Sequence, residues 1–252
     1  MILLMKRNTL LTMIGAAVLI AGVILYFPQL RPFLKNGTAA IIYVPPVIRD
    51  DAVHVACIGD SITYGAGVTD ETGTRIDEYS WPYILEELFG DQVQILNYGV
   101  CGRTLIRETG VAYSDTDFYR LSQESGAEGY LIMLGTNDST AEYWDADSYR
   151  TELKEFVQSY IDLPQQPHVV LITPPRAFAK EGSDTVAYGI RNEIIEGEIV
   201  PIVKETAEQF GIQCFDLYAE TESHPEWFAD GVHPNAEGNR AIADFIHRSI
   251  MG

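Results

Sequence analysis

Val53-His54-Val55-Ala56-Cys57-Ile58 runs without a break into Gly59-Asp60-Ser61-Ile62-Thr63. The first six residues are mostly β-branched or apolar on both faces, which suits an inner strand of a parallel sheet covered on both sides. The glycine–aspartate pair then stops the strand with turn chemistry and leaves a serine at its carboxyl end. The same pattern recurs, and further strands are predicted at Val93–Asn97, Gly129–Leu134, His168–Thr173 and Ile212–Leu217. Helical periodicity falls between them. Trp81–Phe89 puts Ile84, Leu85 and Leu88 on one face, and Tyr149–Ile161 does the same with Leu153, Phe156, Val157 and Tyr160. Ile190–Phe210 reads as a long helix broken near Pro201. Ala236–Ile250 follows Asn235 as its N-cap, with Ile242, Phe245, Ile246 and Ile250 as its buried stripe. Strands alternating with helices predict an open, doubly wound α/β sheet over residues 53–252, with right-handed crossovers. Ligands of such sheets bind beyond the carboxyl ends of the strands.

Four short blocks sit at those ends. They are Gly59-Asp60-Ser61-Ile62-Thr63, Asn97-Tyr98-Gly99-Val100-Cys101-Gly102, Gly135-Thr136-Asn137-Asp138 and Asp230-Gly231-Val232-His233. Singly, each has a plain structural reading: a serine-capped turn, two turn glycines, a helix cap and a loop. Jointly they supply the parts for acyl transfer. A serine hydroxyl such as that of Ser61 needs a base to take its proton. His233 is the candidate base, and Asp230, three residues before it, can orient the imidazole from the same loop. A tetrahedral intermediate also needs donors aimed at its oxyanion. Gly102 can bring a backbone N–H close, Asn137 can add a side-chain amide, and the N–H of Ser61 completes three. Asp230 and His233 could instead be metal ligands with His224, although no clear ligand cluster surrounds them. The chain has no Gly-x-Ser-x-Gly elbow, so an α/β-hydrolase does not fit.

On these residues the chain resembles the SGNH hydrolase superfamily, the GDSL esterases and lipases. The match is Ser61 in Gly-Asp-Ser, Gly102 before Arg-Thr, Asn137 in Gly-Thr-Asn-Asp, and Asp230 with His233 in Asp-Gly-Val-His-Pro. Ile62 stands where the older motif name has leucine, an apolar exchange away from the chemistry. The resemblance runs from about Val53 to the C terminus. It implies a three-layer α/β/α, flavodoxin-like fold with a five-stranded parallel sheet, and chemistry that uses no metal or cofactor. Spacing and wording also resemble the carbohydrate-esterase branch of the superfamily.

The N-terminal region lies outside that resemblance. Leu10 to Phe27 is an 18-residue apolar stretch preceded by Lys6-Arg7 and closed by Pro28. That length is near the minimum for crossing a hydrocarbon core of about 30 Å. We read residues 1–27 as a transmembrane signal anchor that holds the catalytic domain outside the cytoplasm. Secretion after cleavage near Thr38-Ala39-Ala40 is the alternative, but that site lies well beyond the apolar run. Residues 28–52 carry Pro28, Pro32, Pro45 and Pro46 without sustained periodicity and read as a tether. Cys57, Cys101 and Cys214 are odd in number and fall in or beside strands, as small apolar residues would.

The 252 residues hold 36 acidic against 17 basic side chains, a net charge of −19. Such a surface repels nucleic acid and polyanionic substrates such as coenzyme A thioesters. No exposed apolar insertion separates the blocks, as a long-chain lipase would need, and the loops Thr69–Tyr79 and Ala179–Ala187 are polar. A small acyl group, acetyl above all, on a neutral carbohydrate fits best. Lysophospholipase or general short-chain esterase activity is the runner-up, and a non-catalytic, membrane-tethered glycan-binding module is the alternative of another class. Around the blocks, Tyr64, Trp144 and Trp227 are candidate rim residues, with Trp144 the candidate for stacking on a ring. Trp81 reads as core. Arg103, Arg107 and Arg176 are candidate substrate contacts or surface counter-charges. Asp138 is a candidate support for Asn137, and Asp60 for the loop around Ser61.

Overall fold

The structure is a computed structural model that describes residues 43–70, 75–180 and 182–252. Contacts divide the chain into Met1–Val44 and Pro45–Gly252. The expected anchor over residues 1–27 lies outside the described residues, as does most of the tether. Among the described residues no helix is long and apolar enough to cross a membrane. Within the second unit, Val47 and Arg49 of the tether region are bonded to Gln94: its amide donates to the Val47 carbonyl and its oxygen accepts from Arg49 N–H.

Five strands, β1 (Val53–Gly59), β2 (Val93–Gly99), β3 (Gly129–Met133), β4 (His168–Ile172) and β5 (Gln213–Phe215), form one sheet in the order β2-β1-β3-β4-β5. Every neighbouring pair is parallel. The chain first winds outward to β2 and then back past β1 to β3, so the winding direction reverses at β1. Register sharpens the consequence: Gly59 of β1 lies opposite both Gly99 of β2 and Met133 of β3. Three connections therefore leave the sheet at one level, beside the reversal, where doubly wound sheets open a crevice.

The connecting helices are α1 (Ser61–Tyr64), α2 (Trp81–Phe89), α3 (Asp117–Glu124), α4 (Ala146–Ile161), α5 (Val200–Phe210), α6 (Leu217–Thr221) and α7 (Ala236–Met251). Helices α2 and α7 pack together on one face, where Ile84, Leu85, Ile242 and Ile246 meet Cys57, Ile95, Leu131, Val170 and Phe215. The alternate strand residues turn to α3, α4 and α5, as a period of two requires. Under α3 and α4 this second layer is aromatic: Tyr119 stacks on Phe156, and Tyr130 meets Tyr160. Their hydroxyls are satisfied, Tyr130 by the Ser122 carbonyl and Tyr113 by that of Tyr98, as buried polar groups must be.

Several expectations are adjusted. Helix α3 has no counterpart in the sequence reading, because only Phe118 and Ser122 of its eight residues are buried. Strand β5 ends at Phe215, since Asp216 caps α6 by accepting from Ala219 N–H and so draws Leu217 into that helix. The break near Pro201 is a π-helical turn, Ile195–Ile199, ahead of α5. Ile250, expected in the buried stripe of α7, is 39% exposed in the helix's last turn. The three cysteines are free thiols, with Cys57 buried and the other two half-buried.

One buried amide ties the layers to the edge where the blocks gather. Asn239 of α7 is fully buried. Its oxygen accepts from Trp81 N–H at 2.9 Å, and its nitrogen donates to the carbonyls of Pro234 at 2.7 Å and Asn235 at 3.0 Å. Truncation to Asn239→Ala strands a buried N–H and a buried carbonyl. It is expected to cost about 2–6 kcal/mol of stability, from roughly 1–3 kcal/mol for each group left unpaired. Urea denaturation checks this, and a change of only a few tenths would show that the amide bridge is dispensable.

Candidate active site

The serine of the first block is set by its neighbour. Asp60 caps α1, its carboxylate accepting from Ile62 N–H at 2.9 Å, and this places Ser61 at the first helical position directly after β1. The fourth block closes on itself. Asp230 Oδ1 accepts from the N–H groups of Val232 at 2.9 Å and His233 at 2.7 Å, a local turn that points both side chains the same way. Pro234 then pairs with Phe228, and Asn235 caps α7 through Gly238 N–H at 2.9 Å. The Ser61 loop also meets this one: at Gly67 any Cβ would lie 2.1 Å from the Pro234 carbonyl oxygen. The approach requires glycine.

Across 172 residues of sequence the two loops join. His233 Nε2 lies 2.9 Å from Ser61 Oγ, and His233 Nδ1 lies 2.7 Å from Asp230 Oδ2. With Nδ1–H donating to the carboxylate, Nε2 is left as the acceptor for the serine proton. Burial pulls the Asp230 carboxyl upward, but bonds from the His233 ring, then from His233 and Val232 N–H, outweigh it and hold the group well below the usual carboxylate range. The aspartate is therefore an anion whenever the imidazole needs one.

The remaining two predicted residues arrive beside the serine. Gly102 follows β2 with φ +70°, and a Cβ there would meet nothing within 4 Å. The need for glycine is thus conformational, not the steric clearance expected from sequence. Asn137 opens a short 3-10 turn after β3, and its amide nitrogen donates to the Arg103 carbonyl at 3.0 Å and to Asp60 Oδ2 at 3.2 Å. Asp138 does hold this corner: its carboxylate accepts from the N–H groups of Leu105 and Ile106, each at 2.9 Å. The loop bearing Gly102 is so fastened to the loop bearing Asn137.

The candidate rim divides. Trp81 is core, as expected. Tyr64 lies under the Arg75 guanidinium at 4.4 Å, and Trp227 stacks on His224 at 3.7 Å. His224 is held there and by Glu226. Arg107 pairs with Glu152 and Glu155, and Arg176 with Glu222, as counter-charges would.

Sequence reasoning missed Tyr188. It comes from the polar loop before α5, yet its hydroxyl donates to Asp230 Oδ2 at 3.0 Å and its ring stands edge-on to His233 at 5.3 Å. Its φ of 60° is left-handed, a costly conformation for a bulky residue and one often retained at functional sites. The available signal was an aromatic residue ahead of Gly189 in an otherwise polar segment.

The GDSL-like Lipase/Acylhydrolase family matches residues 57–241, which include all five predicted site residues. The chain belongs to that family. It is an SGNH hydrolase, as the four blocks implied. An acetylxylan esterase of Xylanibacter ruminicola is 30% identical over 244 residues, covering 89% of this chain and 48% of that protein. The chain thus spans about half the length of that relative. The thioesterase 1/protease 1/lysophospholipase L1 of Escherichia coli K12 is 19% identical over 196 residues, covering 77% of this chain and 81% of its own length. The structure of a carbohydrate acetylesterase from Sinorhizobium meliloti superposes with a TM-score of 0.59 at 19% identity, over 79% of this chain and 98% of that one, a likeness of fold.

The buried carboxylates give this SGNH domain an unusual pH response. Desolvation by burial raises Asp60 to about 6, against lowering by Ile62 N–H and the His233 charge. Burial likewise raises Asp138 to about 7, against its backbone donors. The folded chain therefore holds these two protons more tightly than the unfolded chain does. Their stabilising contribution is complete below the ordinary value of 3.8 and is lost as pH rises through about 6 to 7. Asp230, with its lowered value, acts oppositely and only in strong acid. Asp138→Asn keeps an acceptor for Leu105 and Ile106 while removing one titration. Its decline in denaturation midpoint between pH 5 and pH 8 should be shallower than that of the parent, and an equal slope would contradict the assignment.

Proposed function

We propose that the protein is a serine esterase that removes short acyl groups, acetyl above all, from carbohydrate. The observation that carries this reading is the unbroken relay from Ser61 Oγ through His233 to Asp230, at 2.9 and 2.7 Å. Ser61 Oγ attacks the ester carbonyl while His233 Nε2 takes its proton. Backbone N–H groups of Ser61 and Gly102 and the Asn137 amide receive the oxyanion, which replaces Asp60 Oδ2 as partner of one amide hydrogen. His233 returns the proton to the departing alcohol, and water then releases the acyl group by the same route. The acetyl and carbohydrate preferences draw support from the name of the Xylanibacter ruminicola relative and from the polar loops. The Escherichia coli relative supports lysophospholipase or general short-chain esterase activity as the second reading. The apolar stretch 10–27 with its basic flank supports a membrane-tethered enzyme facing out of the cytoplasm.

A panel of p-nitrophenyl esters of graded length, with acetylated sugars, tests acyl and alcohol preference together. Activity should be greatest on acetyl and fall with chain length, whereas a rise toward long chains would favour the lysophospholipase reading. Ser61→Ala should lower kcat by at least about 10⁴-fold and abolish labelling by a fluorophosphonate, as loss of a nucleophile does elsewhere. Asn137→Ala should cost about 10²–10³-fold in kcat, the usual worth of one oxyanion donor. A wild-type chain that resists the label and leaves p-nitrophenyl acetate intact would instead indicate a non-catalytic module.

Tyr188→Phe deletes only the hydroxyl on Asp230. A single hydrogen bond of about 1 kcal/mol predicts a loss of roughly fivefold in kcat/KM with little change in stability. Unaltered kinetics would mean that Asp230 needs no second donor.

A further inference from the structure

Between the segments that follow β2 and β3 lies a cleft of about 390 Å³ lined by Glu108, Glu142, Tyr143, Trp144, Asp145 and Ser148, among others. That size lies within the range of roughly 300–1,000 Å³ common for small-molecule sites. Two loops enclose it, and they are the ones that carry Gly102 and Asn137. Ile106 also lines the cleft and is four residues from Gly102, so their Cα atoms are at most about 15 Å apart. Asp138 staples these loops together through Leu105 and Ile106.

The lining chemistry is specific. The indole N–H of Trp144 donates to Glu198 Oε2 at 3.2 Å, and its ring leans on Tyr149 at 5.4 Å. Glu198 belongs to the π-helical turn before α5, an irregularity that often marks functional positions. With its N–H engaged by Glu198, which does not line the cleft, Trp144 borders the cleft with an indole of fixed orientation. Around it stand carboxylates. Glu108 and Glu142 are exposed and have no ion pair or hydrogen bond among the described residues, while Asp145 uses one oxygen on Ser148 N–H. Among the described residues no group of three His, Cys, Asp or Glu side chains could hold a metal ion, so these acids do not form a cation site. A fixed indole among unengaged acceptors in a mostly polar cleft matches a pyranose, which has an apolar C–H face and an equatorial fringe of hydroxyl donors. Like-charge repulsion disfavours a uronate or a sulfated sugar in the same place.

We propose that this cleft is a subsite for a neutral sugar unit of the substrate glycan, with Trp144 as its stacking platform and Glu108 and Glu142 as acceptors for its hydroxyls. The assignment deepens the esterase reading and rests on it for its role in turnover, though not for binding. Two measurements separate the two claims. The first compares kcat and KM on p-nitrophenyl acetate and on O-acetylated xylotetraose for the wild type, Trp144→Ala, Trp144→Phe and Glu142→Gln. Trp144→Ala should raise KM for the oligosaccharide about tenfold or more, leave kcat/KM on p-nitrophenyl acetate within twofold, and be largely rescued by Trp144→Phe. Glu142→Gln, at an exposed position where folding is not in question, should raise the oligosaccharide KM several-fold. The second titrates unacetylated xylotetraose into Ser61→Ala with and without Trp144→Ala by calorimetry, where binding should vanish with the indole. A chain inert to p-nitrophenyl acetate that still binds xylotetraose through Trp144 would keep the subsite and remove the esterase. Equal losses on both substrates in Trp144→Ala without rescue by Trp144→Phe, an unchanged oligosaccharide KM, or tetraose binding indifferent to Trp144 would each overturn the subsite.

Discussion

A parallel sheet delivers the carboxyl end of every strand to one edge, and the order β2-β1-β3-β4-β5 makes that edge a crevice. Each of the first three strands ends with the next residues of chemical interest: Ser61 after β1, Gly102 after β2, Asn137 after β3. None could be placed so by local preference alone, since α1 is only four residues long and the turn at Asn137 only three. What holds them is the register of the sheet. Strand register is strongly fixed where both faces are buried, because a slip of one residue would turn every side chain to the wrong layer. The packing of Cys57, Leu131 and Val170 under α2 and α7 is thus also what aligns the loops. The fourth block has no strand to carry it. It depends on Asn239, which fastens the Pro234 carbonyl to the start of α2, and on the close pass of Gly67.

The same edge gathers carboxylates in three different electrostatic settings. Asp230 accepts two backbone N–H bonds, the imidazole and the Tyr188 hydroxyl, so its charge is well compensated although half-buried. Asp138 also accepts from backbone donors, yet it is fully buried and desolvation prevails. Asp60 is the most consequential. It sits at the Asn137 amide and next to the serine, where a full negative charge would oppose an oxyanion, and burial keeps it near neutrality in mild acid. Hydrogen-bond count decides the first case, and desolvation the other two.

How much of this was legible follows from how local each signal is. The five strands announce themselves as short runs apolar on both faces and four of the helices by a period of 3.6, and Trp81–Phe89 matches its predicted bounds because Pro82 and Gly90 punctuate it. Ser61, Gly102, Asn137, Asp230 and His233 could be read because each sits in a compact block at a strand end. Helix α3 was not legible, since its stability comes from aromatic partners in α4 and not from an apolar stripe of its own. Tyr188 was not legible either. Its contact with Asp230 spans 42 residues and depends on a left-handed backbone that no short motif signals. The reason for Gly102 was visible only in part, because sequence suggests small size whereas the requirement is a positive φ.

Tyr188 and Trp144 share a structural logic that links chemistry to recognition. Both are aromatic residues on irregular segments whose polar atoms are engaged with an acidic side chain, Asp230 for one and Glu198 for the other. An aromatic ring near solvent ordinarily samples several rotamers, and fixing it costs entropy on each binding event. A hydrogen bond from the ring's one polar atom removes that freedom in advance and leaves the carbon surface facing outward. Tyr188 and Glu198 lie on either side of Arg191, which ties the loop after β3 to the segment before α5 through the Ser139 and Thr140 carbonyls. Because Asn137 sits at the head of that same β3 loop, the segment that carries Tyr188 and Glu198 is anchored to the loop of the oxyanion donor. Displacing it would therefore disturb the His233 environment and the Trp144 platform together, whereas removing either ring alone should affect only its own step.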